Sequence, residues 1–255
     1  MNYKIDGAGE AIVFIHGLSD SLLYWEFLAN NLKKDYKVLR IDLRGHGETE
    51  RGNNEITIDL LCEDLRNLLD ELYIENINLV GFSLGSAVAL DFTIRYPQMV
   101  SSLVLMSGFY KPDEQSKDIL SQFKSALNSS FDEFYDLLFS MSLCPSVIEN
   151  NREELAFLKK FASQTADMDA YIQSVDACLN FDEEDKLSQI DAPTLILAGK
   201  YDDITTVDLQ KELKSKVVNS EIIIFDDAKH NLLVGKNQLE ILNILKNFYK
   251  KRKEE

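Results

Sequence analysis

The chain has 255 residues, enough to bury a sizeable core as one large α/β domain or two small ones, and 45% hydrophobic residues with only 4 Pro and 11 Gly exclude wholesale disorder. With 27 basic side chains against 43 acidic ones the formal charge is −16, which opposes a general affinity for nucleic acid or for anionic membrane surfaces. Three cysteines, Cys62, Cys144 and Cys178, form neither an even set nor a metal-ligand spacing, so disulfides and zinc are poorly supported.

Taken in order, Asn2 to Ile5 predicts a short edge strand, turned by Asp6-Gly7-Ala8-Gly9. Ala11 to Ile15 is a continuous apolar run, as expected for a strand covered on both faces. It ends in His16-Gly17-Leu18-Ser19-Asp20-Ser21, and Leu22 to Leu32 reads as an amphipathic helix containing Trp25. A strand over Tyr36–Ile41 runs into the glycine-punctuated loop Asp42 to Thr49. Leu61, Leu65, Leu68 and Leu72 step by four, three and four, which predicts a helix over Thr57–Leu72. Next come a strand from Ile77, a helix from Ser83 to about Arg95 stopped before Pro97, and a buried strand over Ser102–Met106.

The alternation of strand and helix predicts a parallel sheet wrapped by helices. From Phe109 to about Gln189 only helical patterns are found. Strands resume over Pro193–Gly199 and Glu221–Phe225, and a last helix covers Asn237–Tyr249. One α/β core, residues 1–108 and 190–255, is therefore expected to be interrupted by a helical insertion at 109–189. The N-terminus lacks the apolar stretch of a signal peptide, and no run approaches the roughly 18 apolar residues of a membrane span. A cytoplasmic setting is the expectation, with the basic C-terminal residues read as the solvated end of the last helix.

Four predicted strands end in residues that carry chemistry, and in a parallel sheet those ends share one edge. Gly81-Phe82-Ser83-Leu84-Gly85 lies between a strand and a helix, where a Gly-x-Ser-x-Gly pattern exposes its serine on a tight turn. Ser83 needs a base, and imidazole suits that work. Of the three histidines, His46 between two glycines reads as structural, His16 as a ring that orders backbone, and His230 after the last strand as the base. A carboxylate must fix the tautomer of that base. Asp202 and Asp203 compete for the role, with Asp202 favoured by its place three residues after Gly199; Asp226 and Asp227 lie too close to His230 along a short loop. The Leu84 and Leu18 backbone N–H groups are the candidate donors to an oxyanion.

Together these segments resemble the α/β-hydrolase superfamily, in particular its small cofactor-free serine hydrolases. The resemblance rests on His16-Gly17, Asp42-Leu43-Arg44-Gly45-His46-Gly47, Gly81–Gly85, Gly199-Lys200-Tyr201-Asp202 and the late His230. It implies a mostly parallel eight-stranded sheet with a helical lid inserted after the sixth strand, and the short N-terminus suggests that the family's first strand is missing. Asp203 and Thr206 stand where relatives often carry proline, Lys229 where glycine precedes the histidine, and Ser86 where glycine follows the elbow. Relatives that dehalogenate or open epoxides use an aspartate nucleophile, so Ser83 counts against both chemistries.

Residues 109–190 hold 7 basic and 16 acidic side chains, a poor match to dicarboxylate substrates, which need cationic partners. Phe123, Phe131, Phe134, Tyr135, Phe139, Phe157, Phe161 and Tyr171 are available for an apolar acyl pocket or for packing between helices. Trp25, Phe134 and Phe139 are taken as substrate-contacting residues, with a core role for Trp25 equally open. The expected activity is hydrolysis of a small neutral or hydrophobic ester, with no metal or organic cofactor required. Enol-lactone, thioester or carbon–carbon cleavage by the same three groups is the alternative, and a non-catalytic ligand binder is the third.

Overall fold

The computed structural model describes residues 1–253. Its strands are β1 (Tyr3–Asp6), β2 (Ala11–Ile15), β3 (Lys37–Ile41), β4 (Ile77–Phe82), β5 (Val100–Met106), β6 (Thr194–Gly199) and β7 (Ser220–Phe225). They form one seven-stranded sheet in the order β1-β3-β2-β4-β5-β6-β7. Only β1 runs antiparallel, along β3. Eight strands were implied by the family resemblance; among the described residues the sheet has seven, with antiparallel β1 at its edge. Five helices fill the stretch between β5 and β6, which contains no strand.

Residues alternate across the sheet with the period of two that a pleated strand imposes. Ile12 and Phe14 of β2 enter one core with Trp25, Leu28 and Leu245, while Val13 and Ile15 enter the other with Leu61, Leu65 and Val88. Helices α1 (Glu26–Leu32), α2 (Ile58–Glu71) and α3 (Leu84–Arg95) flank the N-terminal half of the sheet. A 3-10 turn over Leu22–Trp25 precedes α1, so the expected first helix is split at Trp25. Helix α3 is buried from Leu84 to Thr93, and its Ser86-Ala87-Val88-Ala89 run keeps side chains short where it presses on β4 and β5.

The inserted helices are α4 (Glu114–Ser129), α5 (Phe131–Ser142), α6 (Pro145–Asn150), α7 (Arg152–Ala162) and α8 (Met168–Leu179). Polar caps start several of them. Asp113, Ser130 and Asp167 accept the Ser116, Glu133 and Ala170 backbone N–H groups, satisfying donors a helix start leaves free. Helix α9 (Val207–Lys216), which the sequence reading did not anticipate, joins β6 to β7, capped by Thr206 and anchored by buried Leu209 and Leu213. The last helix, α10 (Asn237–Lys253), extends one turn past the predicted end.

Register places the functional loops. Gly81 lies opposite both Ile15 and Leu105, Met106 opposite Leu197, and Gly199 opposite Phe225. The C-terminal ends of β2, β4, β6 and β7 therefore form one edge of the sheet, beneath the inserted helices. Among the described residues no helix is long and apolar enough to cross a membrane.

Candidate active site

Ser83 closes β4 and opens α3 in a single residue. Its φ of 52° and ψ of −116° are strained for any side chain, and the strain persists because both sides are clamped. Its N–H continues the β4–β5 ladder to the Met106 carbonyl at 3.0 Å, while its carbonyl accepts the Ser86 N–H at 2.8 Å and the Ser86 hydroxyl at 2.6 Å. Ser86, a departure from the family pattern, thus fastens the turn. A Cβ on Gly81 would meet the Gly85 carbonyl, and one on Gly85 would meet the carbonyls of Ile15 and His16, so strand and helix approach this closely only through glycine.

The Ser83 hydroxyl lies 2.8 Å from His230 Nε2, and His230 Nδ1 lies 2.8 Å from Asp202 Oδ2. With Nδ1–H donating to the carboxylate, Nε2 is left as the acceptor for the Ser83 O–H. Asp202 is 4% exposed and fully engaged. Its Oδ1 accepts the Ile204 and Thr205 N–H groups, both at 2.9 Å, and its Oδ2 also accepts the Thr205 hydroxyl at 2.8 Å. Its rival Asp203 points away, with its side chain half exposed and paired to Lys229 at 3.0 Å. The two departures from the family pattern that flank this pair of loops are therefore partners of each other. Lys229 also donates to the Ser140 carbonyl at the end of α5, at 3.1 Å.

Several supporting groups escaped the sequence reading. The Ser107 hydroxyl donates to the His230 carbonyl at 2.6 Å, the Thr205 hydroxyl lies 3.0 Å from the Ser107 carbonyl, and the Phe82 ring sits 5.2 Å from the His230 ring. Ser107 has a φ of 47°, a strained turn just past β5. Nothing in isolated serines or threonines announces such contacts.

Leu84, the first residue of α3, presents a backbone N–H that no helical carbonyl can reach, and Leu18 N–H makes no hydrogen bond among the described residues. Both leucines line the same cavity as Ser83 and His230. The loop bearing Leu18 is fixed from below. His16 Nδ1–H donates to the Gly17 carbonyl at 2.7 Å and its Nε2 accepts the Leu43 N–H at 3.0 Å. Asp42 accepts the Leu22 N–H at 2.6 Å, the Glu48 N–H at 2.9 Å and the Asn2 amide at 2.7 Å. Burial lowers the His16 pKa to about 4; burial and then the neighbouring His16 lower that of His46 to about 3. Both rings are neutral near pH 7 and committed to backbone carbonyls, His46 to that of Arg44 at 3.0 Å.

The cavity over Ser83 has a volume of about 570 Å³. Phe123, Tyr135, Phe139, Phe161 and Tyr171 line it, whereas Phe131, Phe134 and Phe157 do not. Two expected substrate contacts are corrected. Trp25 is completely buried against Phe14, with ring centroids 4.8 Å apart, on the sheet face carrying α1 and α10. Phe134, also completely buried, packs edge-on to Phe123 and beside Tyr171 among the inserted helices. Neither side chain is among those that line the cavity, because each is covered by rings that do: Tyr24 over Trp25, and Phe123 and Tyr171 over Phe134. Only Phe139 of the three reaches it. Among the described residues no group of three or more His, Cys, Asp or Glu is arranged to hold a metal ion.

Comparison with known proteins agrees with this fold. The chain is 28% identical over 240 residues to the AB hydrolase superfamily protein YisY of Bacillus subtilis, covering 88% of this chain and 86% of that one. It is 27% identical over 232 residues to the 2-hydroxy-6-oxononadienedioate/2-hydroxy-6-oxononatrienedioate hydrolase of Klebsiella pneumoniae, covering 87% and 81%. Its fold superposes on the enol-lactonase from Burkholderia xenovorans LB400 with a TM-score of 0.90, at 22% identity, over 98% of this chain and 96% of that one. The family model described as the alpha/beta hydrolase fold matches residues 10–236, so that sheet, elbow and loops together place the chain in the α/β-hydrolase superfamily.

Proposed function

We propose that the protein is a serine hydrolase cleaving carboxylic esters of small neutral or hydrophobic substrates through an acyl-enzyme. The observation that carries this reading is the unbroken hydrogen-bonded run from Ser83 through His230 to Asp202 at the floor of the cavity. Ser83 attacks the carbonyl carbon as His230 Nε2 takes its proton. Asp202 holds the ring and stabilises the imidazolium, and the Leu18 and Leu84 N–H groups receive the oxyanion, a contribution of about 3 kcal/mol per donor. His230 then returns the proton to the leaving alcohol, and a water activated by the same ring releases the acid. Residues 109–189 act as a cap over the core formed by 1–108 and 190–255, and Phe139 contacts the acyl chain from the cap. No metal or organic cofactor takes part in this scheme.

Relatives named for dioate substrates invite a dicarboxylate reading. The cavity disfavours it, because no lysine or arginine is among its described lining residues. Labelling with a fluorophosphonate probe, together with hydrolysis of short and medium p-nitrophenyl esters, tests the proposal. Wild type is expected to label and turn over, and Ser83→Ala to do neither, with kcat lower by about 10⁶-fold. Full activity in Ser83→Ala would discard the scheme.

A further inference from the structure

Two carboxyls on the cavity wall are not used by the scheme above, exposed Glu154 and the more enclosed Asp20. Asp20 lies in the loop after β2, two residues past Leu18, and lines the cavity together with Ser83. The loop leaves it little freedom. Ser19 is held at a φ of 59°, the Asp20 N–H donates to the Gly17 carbonyl at 3.3 Å, and the following Leu22 N–H is fixed by Asp42. Among the described residues its carboxyl has no ion-pair partner, only the neighbouring Ser21 N–H.

Three tyrosine hydroxyls lie on the same cavity wall. Asp20 is close enough to the Tyr24, Tyr135 and Tyr171 hydroxyls to raise the pKa of each, after the larger effect of burial on all three. Tyr24 donates to Asn231 Oδ1 at 3.1 Å, whereas the Tyr135 and Tyr171 hydroxyls make no hydrogen bond among the described residues. The remaining titratable groups on the cavity wall are His230, Cys178 and, at an exposed position on α7, Glu154; none is a fixed cation. The half-buried Asp20 carboxyl and the two hydroxyls without partners among the described residues face the same space, where a bound group can pair with them.

We propose that Asp20, with the Tyr135 and Tyr171 hydroxyls, forms a polar subsite that receives a hydrogen-bond-donating group of the substrate, hydroxyl, amide N–H or ammonium, and rejects carboxylates. The inference rests on the ester-hydrolase reading and narrows it. The substrate carries its reactive carbonyl at Ser83 and a donor at its other end. Burial raises the Asp20 pKa to about 7, so near neutrality the subsite passes between a neutral acid that accepts and donates and an anion that selects cations. Either form discriminates against a substrate carboxylate: the anion repels it, and the tyrosines alone cannot neutralise it.

The test uses two series of matched esters, one varied at the acyl end and one at the alcohol end, each terminated by methyl, hydroxyl, ammonium or carboxylate. In at least one series wild type should favour the hydroxyl and ammonium ends over the carboxylate end by about 100-fold in kcat/KM. The ammonium-to-carboxylate ratio should rise between about pH 6 and pH 8 as Asp20 loses its proton. Asp20→Asn should cut that ratio by about tenfold or more and abolish its pH dependence, and Asp20→Leu should also remove the preference for hydroxyl over methyl. A ratio equal in wild type and Asp20→Asn, or a wild type that takes the carboxylate end as readily as the hydroxyl end, overturns the subsite. The wild-type pH profile alone serves if either variant fails to fold. The same esters titrated calorimetrically into Ser83→Ala report end-group preference without turnover. Selective binding there with no wild-type hydrolysis would sink the esterase reading while leaving the subsite standing, and unselective binding with hydrolysis would do the reverse.

Discussion

At the scale of single residues, two adjacent aspartates differ in everything but their side chain. Asp202 is buried and accepts four hydrogen bonds, one from His230, whereas the Asp203 carboxylate is half exposed and bound to Lys229. Asp202→Asn should therefore lower kcat by about 10⁴-fold, because the amide leaves the ring in the wrong tautomer. Asp203→Asn should stay within about tenfold of wild type, since it loses only a partly exposed ion pair. Thr205→Val is expected to lower kcat by about tenfold, because its hydroxyl donates to Asp202 at 2.8 Å and lies 3.4 Å from His230 Nδ1. Parallel steady-state assays of the three variants check all of this, and a larger loss in Asp203→Asn than in Asp202→Asn would reverse the assignment. Ser83 and His230 were legible because each follows a strand with a chemical type that fits a distinct task, whereas Asp202 was only favoured over Asp203 by its place after Gly199. Trp25 and Phe134 were not, because aromatic identity says nothing about which face of an element a side chain leaves.

At the scale of elements, the β4–α3 junction concentrates constraint. Gly81→Ala and Gly85→Ala push a methyl group into backbone carbonyls that cannot give way, and each should cost about 2 kcal/mol or more in urea unfolding. Gly235→Ala is the control. Its φ is 56° but its Cβ would meet nothing within 4 Å, so the cost should be about 1 kcal/mol. Losses at Gly81 and Gly85 no larger than at Gly235 would mean that the carbonyls beside the elbow glycines do give way. The core strands were readable as apolar runs and α2 from its leucine spacing. Helix α9 was passed over because its apolar signal is only Leu209 and Leu213, and most of its stability comes from lying against β6 and β7.

For the whole molecule, acid stability follows from buried groups. Between about pH 5 and 6 the unfolded chain binds protons at His16 and His46 that the folded protein refuses. Asp20 acts in the opposite sense: folded, it keeps a proton that the unfolded carboxyl has already lost. Two protons against one leave a net gain of one on unfolding, so stability should fall on acidification by about 1 kcal/mol per pH unit. Asp20→Asn removes the opposing group and should roughly double that slope, as read from urea midpoints at the two pH values. A flat profile in wild type would mean that only one histidine is held neutral against the opposing Asp20, and a rise on acidification that neither is.

What the sequence determined by itself was the alternation that builds a parallel sheet, the glycine-bracketed serine, and the order in which base and acid follow it. These are local statements: period, turn chemistry and residue type act within a few neighbours along the chain. What only the tertiary structure decided was the choice of Asp202 over Asp203 beside His230, the pairing of Asp203 with Lys229, and the exile of Trp25 and Phe134 from the cavity. It also left Asp20 facing that cavity without a cation. Each of these depends on which surfaces meet between segments separated along the chain, Asp202 and His230 being 28 residues apart, and no pattern along the chain encodes that meeting.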